Sequence, residues 1–264
     1  MSNRDKVEKF IKKMSLIGNN DFNINLDKLE LVKYKGKSKR VSIPVGIETI
    51  GTECFIQNKE IEEVEIPDTV KRIKRGAFMQ CTGLKKLKLS ESLVLIDDCA
   101  FYLCNKLKDL YIPSSVGKID DSAFVNCMEL KQIRFGVKSS LRELGEGAFH
   151  GCGLEQLKLP DGLLIIGDNA FSNCNKLISV EIPGTVYNTG VGSFQQCGEL
   201  EHVRLNDGVG LIAKMSFTYC SKLTSIEIPD SVRIIQFGAF SNCYSLESIE
   251  CKADYDAEEI GLEI

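Results

Sequence analysis

The chain has 264 residues, of which 27% are charged, and a formal net charge of −4 at pH 7. This small negative charge excludes a bulk electrostatic attraction to nucleic acid or to an anionic membrane surface. No stretch approaches the roughly 18 consecutive apolar residues of a transmembrane helix, so no membrane span is predicted.

A short amphipathic helix is predicted over residues 3–14. Its apolar residues lie at i, i+3, i+4 and i+7, where they form one stripe: Val7, Phe10, Ile11 and Met14. We interpret the helix as a lid on the open end of a repeat array, since terminal units need a polar outer face. The alternative is a helix that binds a membrane surface or a partner, with its lysines in water.

The segment that follows the helix is predicted to be a connector and then a β-hairpin. Residues 15–28 are polar and rich in Asn, whereas 29–34 and 40–43 are apolar-alternating runs on either side of the glycine-containing turn 35–38. We therefore assign residues 1–40 to an N-terminal helix, connector and capping hairpin.

Residues 41–250 are nine repeats of one template, I-P-x-x-V-x-x-I-x-x-x-A-F-x-x-C-x-x-L-x-x-V-x. The copies begin 23 residues apart, except that the fifth interval is 24: Ile43, Ile66, Leu89, Ile112, Phe135, Leu159, Ile182, Leu205 and Ile228. A fixed period of this length predicts a solenoid, in which each unit buries its apolar side against its neighbours. Residues 251–264 are predicted to be a partial terminal repeat or a cap.

Each repeat is predicted to contain a strand and a short helical turn. The strand is the segment L-x-x-V-x-I, and all six prolines follow it at one template position, where a missing amide hydrogen ends the strand. In the turn, a small residue precedes a phenylalanine in all nine repeats: Phe55, Phe78, Phe101, Phe124, Phe149, Phe171, Phe194, Phe217 and Phe240. We expect these rings to stack as a spine through the core.

Eight of the eleven cysteines occupy a second constant position: Cys81, Cys104, Cys127, Cys152, Cys174, Cys197, Cys220 and Cys243. Side chains at one repeat position point the same way, into the core, so we predict buried free thiols that act as small apolar fillers. Asn58 holds this position in the first repeat.

The fifth repeat departs from the template. Two residues are added within 136–146, before its turn, and one is lost where Cys152-Gly-Leu154 replaces C-x-x-L. Either the insertion is a local bulge, or it is a loop that contacts a partner.

The template resembles the BspA-like, or Treponema-type, leucine-rich repeat family, most clearly over 112–133 and 159–180. The resemblance implies an α/β fold: a curved right-handed solenoid with a parallel β-sheet on its concave face and short helical turns on its convex face. It also implies an interaction module, since many members lie on bacterial or protozoan surfaces and are implicated in adhesion. The family supplies no catalytic residues.

No residue pattern in the chain indicates catalysis, a cofactor or a metal. His150 lies near Cys152, but a Cys–His nucleophile pair needs an exposed thiol and this cysteine belongs to the buried position. Zinc requires Cys and His ligands clustered at short spacing, which cysteines 23 residues apart do not provide.

The outward positions of the strands predict a basic patch on the second to fifth repeats. We propose these residues for partner binding: Lys86, Lys88, Lys108, Tyr111, Lys131, Arg134 and Lys158. The patch would attract an acidic protein segment or, as the alternative, an anionic glycan. A solvated surface that only keeps the sheet soluble would have the same composition.

The sequence therefore predicts a non-catalytic protein-interaction scaffold, with a surface adhesin that binds matrix protein or glycan as the alternative. The charged N-terminal residues and the unpaired thiols predict a cytoplasmic location. A cell-surface or secreted protein is the alternative if a leader was removed.

Overall fold

The computed structural model describes residues 1–18, 20–247, 249 and 251. Over these residues the chain winds into a solenoid of parallel strands, preceded by one helix. The nine repeats form its coils, so the solenoid expectation is confirmed. Apart from Cys251, the terminal unit predicted for 251–264 lies outside the described residues. No described helix has the length and apolarity needed to cross a bilayer.

Helix α1, Asn3–Leu16, packs against the first coil. Ser2 caps it by accepting a hydrogen bond from the Asp5 amide, and the Asp5 carboxylate accepts one from the Ser2 amide. Val7 is fully buried, and the Asn3 side chain donates to Glu48 of the first coil over 2.9 Å. This position agrees with the interpretation of the helix as a lid.

The predicted hairpin between residues 29–34 and 40–43 is wrong. Strand β1 (Phe22–Asn25) pairs antiparallel with β2 (Glu30–Tyr34), so the hairpin forms one segment earlier. Strand β2 then pairs in parallel with β4 (Thr49–Ile50), and β3 (Arg40–Ser42) pairs in parallel with the next coil. The parallel arrangement is favoured because β2 can bury Leu31 beside Ile50 and pack the Tyr34 ring against Phe55, at 5.0 Å between ring centroids and an interplanar angle of 31°.

The L-x-x-V-x-I segments form the first sheet, a parallel array in two hydrogen-bonded groups. Its strands are β3, β5 (Glu63–Glu65), β7 (Lys86–Lys88), β9 (Asp109–Ile112), β11 (Gln132–Phe135), β13 (Gln156–Lys158), β15 (Ser179–Ile182), β16 (His202–Leu205) and β18 (Ser225–Glu227). Alternate residues face the core and the solvent, so equivalent outward side chains of successive coils stand in rows.

In eight of the nine repeats the V-x-x-I step adds a strand to a second parallel sheet in two hydrogen-bonded groups, which the sequence did not reveal. The seventh repeat has only an isolated bridge between Asn188 and Leu211. Each strand has only two residues, of which the second is buried. Besides β4 they are β6 (Arg72–Ile73), β8 (Leu95–Ile96), β10 (Lys118–Ile119), β12 (Glu143–Leu144), β14 (Ile165–Ile166), β17 (Leu211–Ile212) and β19 (Ile234–Ile235). A strand of two residues is too short to show an alternation of apolar and polar residues, so the template reveals only its apolar positions.

The segment around each phenylalanine is a series of hydrogen-bonded turns and not the predicted helical turn. In the fourth coil the Val125 amide donates back to Ser122, whereas the Phe124 amide donates across to Ala148 of the next coil over 2.8 Å. Ser122 and Asn126 have positive φ values of 54° and 57°. In a helix every amide points along the helix axis. Here alternate amides point out of the turn, and these form the hydrogen bonds to the next coil.

The phenylalanine spine is confirmed. Between Phe55 and Phe240, successive ring centroids lie 4.6–5.7 Å apart with interplanar angles of 9° or less. All nine rings are buried, and the residue before each ring is small enough for the turns to approach closely. The rings therefore form one continuous stack along the core.

The cysteine position does more than fill space. None of the eleven cysteines forms a disulfide, and each thiol in the repeated position donates to the phenylalanine carbonyl of the preceding coil over 3.0–3.5 Å. In the first repeat the Asn58 amide group donates to the Gly36 carbonyl instead, over 3.3 Å. A small side chain with a hydrogen to donate is what this position requires.

Truncating a central ring should leave a cavity in the stack. We expect Phe124→Ala or Phe171→Ala to lower the free energy of unfolding by about 3–5 kcal/mol, as measured by chemical denaturation. Phe237→Ala is the matched control, since that ring is 59% exposed, and it should cost about 1 kcal/mol or less. A central substitution with the effect of the control would show that the stack is not the core.

The thiols should divide into two classes in a reaction with a disulfide reagent at pH 8. Nine cysteines are buried, and Cys99 and Cys251 are partly exposed. Burial raises the pKa of Cys81 to about 12, so the reactive thiolate is scarce in the folded protein. We expect no more than two fast thiols before unfolding and eleven after it; fewer than eleven after unfolding would mean that a disulfide exists.

Candidate functional site

A groove of about 1130 Å³ lies over the outward face of the first sheet, from β11 to β18. Two parallel rows of side chains form its floor, one residue from each strand. The first row carries amide, hydroxyl and imidazole side chains: Gln132, Gln156, Ser179, His202 and Ser225. The second row is charged: Arg134, Lys158, Glu181, Arg204 and Glu227.

The middle of the charged row is internally neutralised. Lys158 forms an ion pair with Glu181 at 2.9 Å, and Asn206 also donates to Glu181 over 3.3 Å. The hydrogen bond from Lys158 lowers the pKa of Glu181, with smaller contributions from Asn206 and the charge of Arg204. Glu181 therefore stays ionised, and the pair leaves little net charge at the centre of the row.

The two arginines are not neutralised in this way. Neither Arg134 nor Arg204 forms an ion pair or a side-chain hydrogen bond with any residue that the structure describes. Both side chains are exposed on the groove floor. They are the guanidinium groups that remain available to a ligand on this surface.

The insertion in the fifth repeat forms a wall of the groove. The loop 136–139 follows β11 and lines the groove on that side, with Val137 88% exposed. Gly136 begins the loop because a Cβ there would come within 2.6 Å of the Ser114 backbone nitrogen. The bulge and the loop are thus the same feature, and it lies beside the groove.

The repeat pattern and the fold decide the family. The family model described as "BspA type Leucine rich repeat region" matches six copies, over residues 28–152 and 142–261. The chain belongs to the BspA-type leucine-rich repeat family. None of the curated proteins matches it in sequence.

Solved structures of three bacterial proteins have a similar fold. A leucine-rich cell surface protein of Faecalibacterium prausnitzii A2-165 gives a TM-score of 0.53 at 22% identity, over 92% of this chain and 96% of that one. A leucine-rich repeat protein of T. pallidum gives 0.54 at 23%, over 85% and 86%. The pneumococcal vaccine antigen PcpA gives 0.55 at 19%, over 84% and 74%.

The seven predicted binding residues of the BspA-type sheet are all charged or exposed, but most are already paired. Lys86 and Lys88 contact Glu63 and Glu65 of the preceding strand at 3.1 and 2.6 Å. Lys131 contacts Glu155 at 2.9 Å. Each acidic partner lies one repeat away from its lysine, so aligning the repeats with one another would have predicted these ion pairs.

Of the predicted residues, only Arg134 and Lys158 line the groove. Tyr111 stands one strand away, in register with Arg134, and Lys108 is exposed at the edge of the same sheet. Sequence reasoning missed the contribution of Arg204 and the first row, because the volume of the groove depends on the loop 136–139.

The geometry of His150 and Cys152 does not provide a nucleophile pair. The Cys152 thiol donates to the Phe124 carbonyl over 3.2 Å, and burial raises its pKa well above the usual value. The His150 Nδ1 lies 2.7 Å from the Ser172 hydroxyl, which itself donates to the Asn169 carbonyl. Within the described residues, no three His, Cys, Asp or Glu side chains cluster as metal ligands.

The groove wall should be removable without loss of the fold. Deleting Val137 and Lys138 restores the spacing of Ile112 to Ile119 between Phe135 and Leu144. We expect the free energy of unfolding to change by less than about 1 kcal/mol, since changes in loop length have small entropic effects.

The matched control for this loop is deletion of Ser114 and Ser115 from the fourth coil, where no residue is in excess and Ser115 donates to the Leu93 carbonyl. That deletion should destabilise the chain by several times more in the same denaturation experiment. Equal losses for the two deletions would show that the loop supports the fold.

Proposed function

We propose that the chain is a non-catalytic recognition scaffold that binds a partner in the groove on its first sheet. The observation that carries the proposal is that Arg134 and Arg204, neither of which forms an ion pair within the described residues, lie on the floor of a groove walled by the loop 136–139. A solvated surface needs neither a groove nor guanidinium groups without an ion pair. Both features are what recognition of an anionic partner requires.

The coils favour this function because they fix the binding groups in advance. The strands β11, β13, β15 and β16 are paired on both sides, so the backbone of the groove floor is fixed before a partner arrives. Less conformational freedom is then lost on binding, which raises the affinity for a given set of contacts. Within the basic patch predicted from the sequence, we assign the binding role to Arg134, whereas Lys158 lines the groove in an ion pair with Glu181.

A surface adhesin is the second candidate function, and with it we propose a cell-surface or secreted location. One solved neighbour is named a cell surface protein and another a vaccine antigen. The buried thiols no longer support the cytoplasmic location predicted from the sequence. Their burial and their hydrogen bonds to carbonyls protect them from oxidation, so they would survive in an oxidising environment.

A random-peptide display library panned on the purified protein tests the recognition function. We expect clones that the wild-type protein retains and Ser179→Tyr releases, because a phenol ring at the centre of the floor fills the groove. Ser92→Tyr is the matched control, since this exposed serine lies outside the groove, and it should retain the clones.

The absence of any clone sensitive to Ser179→Tyr would contradict binding of a peptide partner in the groove. Panning the same three proteins against an array of anionic glycans addresses the adhesin candidate. Glycan binding that Ser179→Tyr abolishes and Ser92→Tyr preserves would support the adhesin instead.

A further inference from the structure

We infer that the groove takes an extended acidic peptide that crosses the strands, with two carboxylates four residues apart on Arg134 and Arg204. The inference rests on the proposed recognition function and specifies its ligand. It follows from the register of the charged row, the charges left unpaired in it, and the composition of the groove floor.

The spacing comes from the strand register. Gln132 of β11 pairs with Gln156 of β13, which places Arg134 beside Lys158, and Lys158, Glu181 and Arg204 are successive register partners. Arg134 and Arg204 are therefore three strand steps apart, roughly 14 Å at about 4.8 Å per step. An extended peptide covers about 3.3 Å per residue, so the two carboxylates fall about four residues apart and on the same face.

The charges between and beyond the arginines indicate the orientation of the bound peptide. Lys158 and Glu181 lie between them and neutralise each other, so an acidic side chain midway along the peptide segment would find no unpaired positive charge. Glu227 lies one step beyond Arg204 and forms no ion pair within the described part of the chain. A basic residue at about i+6, where i is the acid on Arg134, would match Glu227 on the same face of the peptide.

The floor beside the charged row suits a peptide backbone. It carries amide, hydroxyl and imidazole groups, which donate to carbonyls and accept from amide hydrogens. The only phenyl or phenol ring among the lining residues is Phe135, which is half-buried. Because Tyr111 stands outside the groove, the central floor has no exposed ring of this kind on which a sugar could stack. These features favour a peptide over an anionic glycan.

The defined probes are fluorescein-labelled peptides built from Gly and Ser, with Glu at positions i and i+4 and Lys at i+6. Two permutations of equal composition and charge carry the second Glu at i+2 or at i+8. We expect fluorescence anisotropy to show at least about tenfold tighter binding of the i, i+4 peptide, since charge-assisted hydrogen bonds to both arginines require that spacing. Equal affinity for the three peptides, or no binding of any, would overturn the inference.

Charge reversal identifies the arginines. Arg134→Glu and Arg204→Glu should each weaken binding of the i, i+4 peptide by about tenfold or more. The double variant should bind a peptide with Lys at i, i+4 and i+6 in preference to the original one, since Glu227 is unchanged. Arg233→Glu is the matched control, because Arg233 is exposed, forms no ion pair with any described residue and lies outside the groove.

The outcome distinguishes this inference from the proposed function. Some display clones could be released by Ser179→Tyr and yet lack acidic residues at i and i+4. Such clones would support the recognition function but contradict the peptide assigned here. Failure of the charge-swapped peptide to bind the double variant would likewise contradict the assigned contacts. If each single reversal weakens binding and the double variant binds the charge-swapped peptide, the two carboxylates lie on Arg134 and Arg204.

Discussion

The structure depends on the hydrogen bonds that the turns make from one coil to the next. At each phenylalanine the backbone amide leaves its own turn and donates to the following coil, over 2.7–2.9 Å in all eight junctions between Phe55 and Phe240. This bond fixes the distance and the register between coils. The ring stack, the thiol position and the two sheets all require that register, because each places like residues directly above one another.

The requirement explains which residues the repeat holds constant. The residue before each phenylalanine is small because the neighbouring turn passes close to it, as at Ala123 and Ala148. The cysteine is constant because its thiol supplies a second hydrogen to the phenylalanine carbonyl, which already accepts from its own turn. Asn58 shows that the donor matters more than the sulfur, since its amide makes the equivalent contact to Gly36.

The same register creates the recognition surface. Outward residues of successive strands fall into rows, and ion pairs between oppositely charged neighbours in a row neutralise much of the sheet, as between Lys88 and Glu65. A functional site on such a surface is then a local exception to the pairing. Arg134 and Arg204 are such exceptions, and the insertion that breaks the period stands beside them. The irregular loop and the arginines without ion pairs thus line the same groove.

The sequence predicts the features that repeat and misses those that depend on single contacts. The phenylalanine and cysteine positions were readable because nine copies agree on them. The second sheet was not, because a two-residue strand such as Arg72–Ile73 has no pattern of its own. The N-terminal pairing was wrong because Leu31 and Tyr34 fill core positions that only the stacked coils reveal. The groove was missed because it needs the three-dimensional position of one irregular loop.

Native-state hydrogen exchange tests the register between coils most directly. If the turns bond from coil to coil, the amides of Phe124 and Phe171 should exchange only when the chain unfolds, since they are buried and donate to the adjacent coil. The amide of Val137, in the exposed loop, should exchange quickly. Rapid exchange at the phenylalanine amides, as fast as at Val137, would contradict the account.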